Sequence, residues 1–228
     1  HKKVYRREKR IISIVMNIEM TGLQFDRHRA RVEIKKINTK MAKIQRKLIK
    51  MAGKEFKPLS PKQLLPVLVG VGVPKKFLLK QGKYTTSRDK LEEAVTKLDK
   101  KKPKKFVKTL LQLRSCHKLN NTYLIPLYKK AMFNKGIIYC NLNPTDTRTG
   151  RMSSSDPNLQ NIPRPTSGFE KSNPVRKCFI CRPGYVNHFA DYSQMEMRVA
   201  AALSGDPMLL EIFASGKDLH DEVARQVG

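Results

Sequence analysis

The sequence predicts an α+β protein with a large helical part followed by a smaller part that contains antiparallel strands. Before residue 133, apolar residues recur at steps of three and four, which is the spacing of amphipathic helices. After it, short apolar runs at 137–144 and 179–189 are bounded by glycine and proline, which is typical of strands. A chain of 228 residues with 39% hydrophobic side chains is long enough to bury a core.

The charge of the chain is strongly positive. Lysine and arginine total 47 against 19 aspartates and glutamates, a formal net charge of +28. The segment from Lys100 to Thr145 contains no carboxylate. Such an imbalance is self-repelling without a polyanionic partner, so nucleic acid is the first candidate partner, and a merely solvated basic surface is the alternative.

Nothing in the sequence indicates a membrane or secreted protein. No apolar run approaches the length that spans a bilayer, and the first residues, His1 to Arg7, lack the hydrophobic core of a signal peptide. We therefore expect an intracellular protein with no membrane partner. Cys178 and Cys181 form a Cys-x-x-Cys pair, which leaves a zinc site open, although reduced intracellular thiols are the simpler interpretation.

The first elements are an apolar segment and a long helix. Residues 11–25 are an apolar helix or strand followed by a glycine turn and a short return, and Asp26 is a candidate helix N-cap. The helix after Asp26 carries a narrow apolar stripe at steps of four and three. This stripe consists of Ala30, Ile34, Ile37, Met41, Ile44 and Leu48.

The opposite face of that helix is almost entirely cationic. A helix of this kind can lie along a phosphate backbone, with solvated charge or a membrane surface as the alternatives. Its basic residues are Arg27, Arg29, Arg31, Lys35, Lys36, Lys40, Lys43, Arg46, Lys47 and Lys50.

Two capping boxes predict the next two helices. Ser60–Gln63 has proline at the first helical position, and the helix that it starts should end at Gly70. Thr86–Asp89 is a second capping box. The helix that follows it should end at the lysine run before Pro103.

One more long helix precedes the strands. Apolar spacing predicts a helix over 103–132, on which Arg114 and Lys118 are four residues apart and share a face. The turn residues 134–136 should end it. Residues 137–144 then have the composition of a strand.

The last part of the chain alternates loops, strands and short helices. Residues 145–175 are poor in apolar side chains and predict a surface loop, and 179–189 predict two short strands joined by a Pro-Gly turn. Asp191 would lie where the second strand ends and a helix begins, a position that presents a metal-binding carboxylate or, alternatively, caps the helix. The final helices should begin near Val199, Asp206 and Asp218.

Three polar stretches carry the most specific signal. They are TGRMSSSDPNLQNIP at 149–163, DYSQMEMR at 191–198 and GKDLH at 216–220. In order and spacing they closely resemble the polymerase domain of family A DNA polymerases, the bacterial DNA polymerase I group. The resemblance extends more weakly to IEMTG at 18–22, where the usual Met-Glu order is reversed.

The resemblance implies a right-hand polymerase fold with palm, thumb and fingers. Residues 1–25 would form the entry to the palm, 26–102 the helical thumb, and 103–228 part of the palm with an antiparallel sheet. The fingers and the rest of the palm have no counterpart in these residues. Because the thumb of the family grips the duplex backbone, its assignment agrees with the cationic helix face.

The resemblance also implies magnesium as cofactor. Asp191 matches the aspartate that binds both catalytic ions, and the carbonyl of Tyr192 matches a ligand of one ion. Two ions about 4 Å apart can activate a primer 3′-hydroxyl and stabilise the leaving pyrophosphate. The second catalytic carboxylate of the family has no counterpart in these residues, so we expect that the chain alone does not polymerise.

Four residues match the nucleotide pocket of the family. Ser193 and Gln194 would line the pocket, and His220 matches a histidine that contacts the triphosphate. Glu196 matches the residue that excludes a ribose 2′-hydroxyl. The resemblance therefore implies DNA rather than RNA synthesis.

Eight residues match DNA contacts of the family. Arg151 matches an arginine in the minor groove at the primer terminus, where it can check the shape of a base pair without reading its sequence. Arg164 stands where the sequence departs from the family pattern, and no role is assigned to it. The thumb turn contributes Thr85 and Thr86, the long helix contributes Arg114 and Lys118, and the minor-groove set is Arg151, Asn158, Gln160 and Asn161.

The function implied by the resemblance is DNA-directed DNA synthesis on a primer-template from deoxynucleoside triphosphates. The chain would be an incomplete portion or one chain of a split enzyme, whose partner supplies the fingers and the second carboxylate. The alternative is a non-catalytic DNA-binding or accessory protein derived from a polymerase. Single-subunit RNA polymerases fit less well, because Glu196 and the QNIP stretch at 160–163 do not agree with them.

Overall fold

The computed structural model describes residues 2–163 and 173–227, without the side chains of 220, 226 and 227. Arg164 and most of the second half of the predicted loop 145–175 lie outside the described residues. The chain divides into two compact units, His1–Gly184 and Tyr185–Gly228, and each is described by itself. None of the described helices is long and apolar enough to span a membrane.

The first unit begins with a helix, α1 (Lys2–Thr21), so the helical alternative for the N-terminal apolar segment is confirmed. Gly22 has a φ of +60° and turns the chain into β1 (Leu23–Gln24), which pairs antiparallel with β4 (Ile137–Ile138). The turn is tightly packed against β4. A Cβ atom on Gly22 would lie 2.7 Å from the Ile137 Cγ2 atom and 2.8 Å from the Ile138 carbonyl oxygen.

The long cationic helix is α2 (Arg27–Ala52), and its predicted start is confirmed. Asp26 is the N-cap, and its carboxylate accepts a hydrogen bond of 2.8 Å from the Arg29 backbone N–H. The predicted apolar stripe faces the interior, and Ala30, Ile37 and Leu48 are buried. All ten predicted basic residues are exposed, as the amphipathic pattern requires.

The next elements are α3 (Pro61–Gly70), a hairpin of β2 (Leu79–Lys80) with β3 (Lys83–Tyr84), and α4 (Arg88–Lys97). Both predicted helices form, but neither capping box does. The Gln63 side chain accepts a 2.7 Å hydrogen bond from the backbone N–H of Lys57 in the preceding loop.

The N-cap of α4 is Ser87, one residue later than predicted. Thr86 cannot take that position because Arg114 binds both its carbonyl oxygen and its hydroxyl. A long-range contact has therefore overridden a local capping signal.

The predicted helix over 103–132 is α5 (Lys101–Lys118) and α6 (Ile125–Phe133), joined by one turn of π-helix (Leu119–Leu124). Nothing in the apolar spacing indicated the π turn. In this turn the buried Asn120 donates a 2.8 Å hydrogen bond to the side-chain oxygen of Asn38 on α2. This hydrogen bond connects the π turn to α2.

Two hydrophobic clusters fill the first unit, and α2 and α5 contribute to both. The first contains Leu48 of α2 and Phe106 of α5, and the second contains Ala30 of α2 and Cys116 of α5. The two long helices therefore run antiparallel, with the beginning of α5 beside the end of α2. Each cluster also buries side chains from other parts of the unit: Leu64, Leu68, Leu78 and Leu91 in the first, and Phe25, Leu124, Ile138, Ile162 and Val175 in the second.

Part of the predicted loop 145–175 is a strand. β5 (Asn141–Asn143) pairs antiparallel with β6 (Ser153–Ser155). The strand was missed because it consists of three serines, which give no apolar alternation. Ser154 faces inward and is buried, and its hydroxyl binds the Pro157 carbonyl and the Leu159 N–H.

The two strands predicted over 179–189 do not form. Phe179 makes one antiparallel bridge with Phe25, and the Ile180 N–H donates to the Gln24 carbonyl at 3.1 Å. The Pro-Gly turn is present, but the residues from Tyr185 to Ala190 belong to no described strand. A strand needs a neighbouring backbone to pair with, and no described segment offers one to these residues.

The second unit contains three short helices, α7 (Met195–Ser204), α8 (Pro207–Ala214) and α9 (Leu219–Val227). α7 begins four residues before the predicted Val199. The carboxylate of Asp206 caps α8 as predicted, and it accepts from the N–H groups of Met208 and Leu209 at 2.9 and 3.0 Å.

Candidate nucleic-acid and nucleotide site

The thumb-turn residues and the helix residues of the predicted DNA site contact each other. The Arg114 guanidinium donates to the Thr86 carbonyl oxygen and, at 3.2 Å, to the Thr86 hydroxyl. Thr86 is buried and Arg114 is half-buried. Burial lowers the pKa of Arg114 from its ordinary value, yet an arginine remains a cation at neutral pH.

The residues beside this pair remain accessible. Thr85 is half-buried, and its hydroxyl accepts a hydrogen bond of 3.1 Å from the Ser87 N–H, which shapes the turn before α4. Lys118 is exposed on α5, one helical turn beyond Arg114. Of these four residues, Lys118 and Thr85 are the ones that the structure leaves available to a ligand.

The predicted minor-groove residues lie on the segment that follows β6 and on the turn that precedes it. Arg151, Asn158, Gln160 and Asn161 are all exposed. The Asn158 side-chain oxygen accepts from the N–H groups of Gln160 and Asn161 at 3.1 and 3.2 Å, so it closes the turn. The Gln160 side chain donates to the Met152 carbonyl at 3.0 Å.

This segment is also anchored to the helices. The Tyr123 hydroxyl donates to the Asn161 carbonyl at 2.7 Å, and Lys130 forms an ion pair of 2.7 Å with Asp156. Sequence reasoning missed Tyr123 and Lys130. The helical pattern of apolar residues places Tyr123 and Lys130 on a helix face, but it does not identify a partner that is distant in the sequence.

The 191–198 segment presents an exposed carboxylate. Asp191 and Tyr192 are both exposed, and Asp191 has no hydrogen bond or ion pair with any described residue. The N-cap of α7 is Gln194, so the alternative that Asp191 caps the helix is wrong. Carboxylate oxygens are the ligands that hard divalent cations prefer, and the exposed position of Asp191 leaves its oxygens accessible.

The residues after Asp191 are held in a defined turn. Gln194 has a left-handed backbone with a φ of +51°, and its side chain donates to the Asp218 carboxylate at 2.8 Å. Arg198 donates to the Ser193 carbonyl at 3.0 Å and lies 4.8 Å above the ring of Phe213. Arg198 and Phe213 are supporting residues to which sequence reasoning assigned no role.

Glu196 and His220 are the last two residues of the predicted nucleotide site. Glu196 is exposed in the first turn of α7, where a carboxylate is favoured by the helix dipole. The side chain of His220 lies outside the described residues. Across 2–163 and 173–227, no group of three or more His, Cys, Asp or Glu side chains could hold a metal ion.

The cysteines are all free thiols. Cys178 is buried and Cys181 is exposed. Burial, with a smaller contribution from the negative charges of Asp26 and Glu33, raises the pKa of Cys178 to about 12. Cys178 therefore stays protonated and unreactive at neutral pH.

Comparison with known proteins places this architecture in a known class. The polymerase domain of Pol1 from M. smegmatis, solved in complex with a DNA primer-template and dNTP, superposes with a TM-score of 0.76 at 32% identity. The match covers 90% of this chain and 35% of that chain. The fold is therefore the α+β fold of a polymerase domain.

The sequence comparisons identify the family. The profile described as DNA polymerase family A matches residues 28–228. The thermostable DNA polymerase I of Thermus aquaticus is 36% identical over 97% of this chain, and DNA polymerase I of Bacillus subtilis is 35% identical over 94% of it. The chain belongs to DNA polymerase family A, and it spans 26% and 23% of the lengths of these two relatives.

Proposed function

We propose that this chain is part of a DNA-directed DNA polymerase that adds deoxynucleotides to a primer 3′-hydroxyl. The observation that carries the proposal is the family match over 28–228, which includes Asp191, an exposed carboxylate with no partner among the described residues. The similar M. smegmatis domain was solved with primer-template and dNTP, which supports the same two partners here. The proposed location is intracellular, wherever the DNA lies.

The proposed division is a palm entry at 1–25, a helical thumb at 26–102 and part of the palm at 103–228. The first hydrophobic cluster supports a separate thumb, because it joins the end of α2 to α3 and α4. The first half of α5 packs into the same cluster, so we infer that this helix is shared between thumb and palm.

Asp191 and the Tyr192 carbonyl are the proposed magnesium ligands on this chain. When bound, two magnesium ions would activate the primer hydroxyl and neutralise charge on the pyrophosphate. The exposed carboxylate of Asp191 fits this role, but one carboxylate does not complete a two-ion site. We propose that the second one comes from outside these residues, through a further segment or a partner chain, and that the chain alone does not polymerise.

The proposed nucleotide contacts are Ser193, Gln194, Glu196 and His220. Arg198 and Asp218 support them, because they hold the backbone of Ser193 and the side chain of Gln194. A pocket wall held in this way loses little conformational entropy when a nucleotide binds.

The proposed DNA contacts fall into two groups. Lys118 and Thr85 would bind phosphates, and Arg151, Asn158, Gln160 and Asn161 would face the minor groove. For Arg114 and Thr86 we propose a different role from direct phosphate binding. They hold the turn before α4 against α5, and so position the residues beside them.

Primer extension tests the proposal. We expect no extension by the pure chain, and extension after addition of a polypeptide that carries the fingers and second carboxylate of the family. In that complemented enzyme, Asp191→Ala should abolish nucleotide addition and leave primer-template affinity unchanged, since affinity comes from many phosphate contacts. The matched control is Asp99→Ala, which removes another exposed carboxylate. Extension by the Asp191→Ala enzyme would overturn the metal assignment.

The alternative function is a non-catalytic DNA-binding or accessory protein. The net charge of +28 favours it as much as it favours a polymerase. The two differ in the complementation experiment, because an accessory protein binds primer-template but supports no extension with any complementing polypeptide.

A further inference from the structure

The first half of α5 presents a line of lysines that the proposed polymerase site does not use. Lys101, Lys105 and Lys108 are exposed, and their spacing of four and three places them on one side of the helix. We call these three residues the lysine track. None of them forms an ion pair with a described residue, and the sequence offers no carboxylate between Lys100 and Thr145.

The line continues toward the predicted DNA site. Gln112 and Ser115 follow Lys108 at steps of four and three on the same side, and Lys118 lies three residues further, about a quarter of a turn around the helix from Lys101. None of these side chains is buried. At 1.5 Å per residue, the distance along α5 from Lys101 to Lys118 is about 26 Å, which equals about eight base pairs of B-form DNA.

The helix beneath the line is rigidly held. Its other side places Phe106, Val107, Leu110 and Leu113 in the first hydrophobic cluster. Lys101 also lies in the first turn of α5, where the helix dipole disfavours cations. A bound polyanion would relieve this repulsion, and the solvated state does not.

We propose that the lysine track extends the DNA contact from Lys118 along the double-stranded part of the primer-template. This inference rests on the proposed function and adds a surface to it. Lysine is a mobile point charge that binds phosphate without reading base sequence, so it suits a sliding contact with product duplex.

The chemistry of the line favours duplex over single-stranded DNA. Single strands bind where aromatic side chains stack on successive bases between the cationic residues. Between Lys101 and Lys118 the aromatic residues are Phe106 and His117, and Phe106 is buried in the core while His117 is half-buried and bonded to Asn121. The line therefore offers phosphate contacts and no stacking platform.

The test compares two triple variants with the same loss of charge. The track variant is Lys101→Gln, Lys105→Gln and Lys108→Gln, and the control is Lys2→Gln, Lys3→Gln and Lys9→Gln, three exposed lysines of α1. Circular dichroism checks that both variants keep the fold. Affinity is measured by fluorescence anisotropy over a range of salt concentrations, with the duplex lengthened in steps from about 6 to about 24 base pairs.

We expect the wild-type and control proteins to gain affinity once the duplex reaches the lysine track, and the track variant to lack that gain. On the longest duplex, the slope of log K against log salt should fall by about 2 to 3 for the track variant, because each phosphate contact contributes roughly 0.9. On the shortest duplex, the track variant should match the control.

Two outcomes would overturn the inference, and one would instead overturn the proposed function. Equal losses of affinity in both variants at every duplex length would mean that only the total charge of the protein determines affinity. A loss on single-stranded DNA as large as on long duplex means that the occupant is a single strand. Failure of the wild-type protein to bind any primer-template would reject the proposed function, whatever the lysines do.

Discussion

At the scale of single residues, Asp191 and Glu196 have different environments although both are exposed acids near the start of α7. Asp191 has no partner among the described residues, whereas Glu196 lies inside the first helical turn. The proposed roles follow this difference. We propose that Asp191, which precedes the helix, binds cations. Glu196, which lies on the helix, would form a wall of the nucleotide pocket.

Glu196→Ala should leave DNA synthesis in the complemented enzyme and admit ribonucleotides, because it removes a wall and not a metal ligand. The discrimination lost could reach roughly 10⁴-fold, the scale for a site that rejects a hydroxyl by crowding or unpaired polar groups. Parallel primer extension with ribonucleotides and deoxyribonucleotides measures it, with Glu211→Ala on α8 as the control. Unchanged sugar selectivity would mean that Glu196 only stabilises the helix, which is worth at most about 1 kcal/mol.

Gly22 and Gly53 allow a comparison of how much a side chain at a left-handed backbone position costs in unfolding free energy, with and without close neighbours. Both have positive φ, +60° and +69°, but only Gly22 has neighbours within 4 Å of an added Cβ. We expect Gly53→Ala to lower the free energy of unfolding by about 1 kcal/mol, from backbone strain alone. Gly22→Ala should cost about 2–4 kcal/mol, because overpacking against β4 is added to the strain. Urea unfolding of both variants measures the difference, and equal costs would show that β4 moves away freely.

At the scale of elements, Arg114 connects α5 to the turn that starts α4. Arg114→Met should lower the free energy of unfolding by about 1–3 kcal/mol, since it leaves the buried Thr86 polar groups unpaired. Lys118→Met, on the same face but exposed, should change it by less than about 0.5 kcal/mol. A double-mutant cycle with Thr86→Val checks the contact, and full additivity of the two changes would argue against it.

The α4 helix carries a carboxylate held by two lysines. Hydrogen bonds from Lys90 and Lys97, of 2.5 and 2.7 Å, lower the pKa of Glu93 from 4.5 to about 2. A lowered pKa means that the folded state favours the charged form. The contribution of Glu93 to stability is therefore complete above pH 4.5 and is lost as the pH falls toward 2.

Carboxyl NMR titration measures the pKa of Glu93 directly. In the Lys90→Gln, Lys97→Gln double variant, the pKa should return toward 4.5, the ordinary value. A pKa that stays near 2 in this variant would show that the lysines are not its cause. Glu92 is the natural internal control, because it lies on the same helix and pairs with Arg88 instead.

At the scale of the whole molecule, we expect the net charge of +28, rather than any single site, to dominate the affinity for DNA. We expect affinity for duplex DNA to be nearly independent of sequence and to fall steeply between low and physiological salt, because bound phosphates release counterions. Anisotropy titrations with two unrelated duplexes over a salt series measure both properties. A flat salt dependence would remove the electrostatic basis of the DNA proposal.

The amino-acid sequence by itself determined the local features of this protein. Asp26 as N-cap, the buried stripe of α2, its exposed cationic face and the Asp206 cap all depend on residues within a few positions of each other, and each was predicted correctly. The three polar motifs were sufficient to identify the polymerase family, because long stretches of specific polar residues do not recur by chance.

Tertiary structure alone decided the features that depend on distant partners. The N-cap of α4 moved to Ser87 because Arg114 binds Thr86, and the serine strand β6 formed because β5 lies beside it. The strands predicted over 179–189 failed for the opposite reason, since the apolar residues after Gly184 have no described backbone to pair with. Helical periodicity reports contacts within one segment, whereas strands, caps and the half-buried Arg114 depend on groups that only the folded chain brings together.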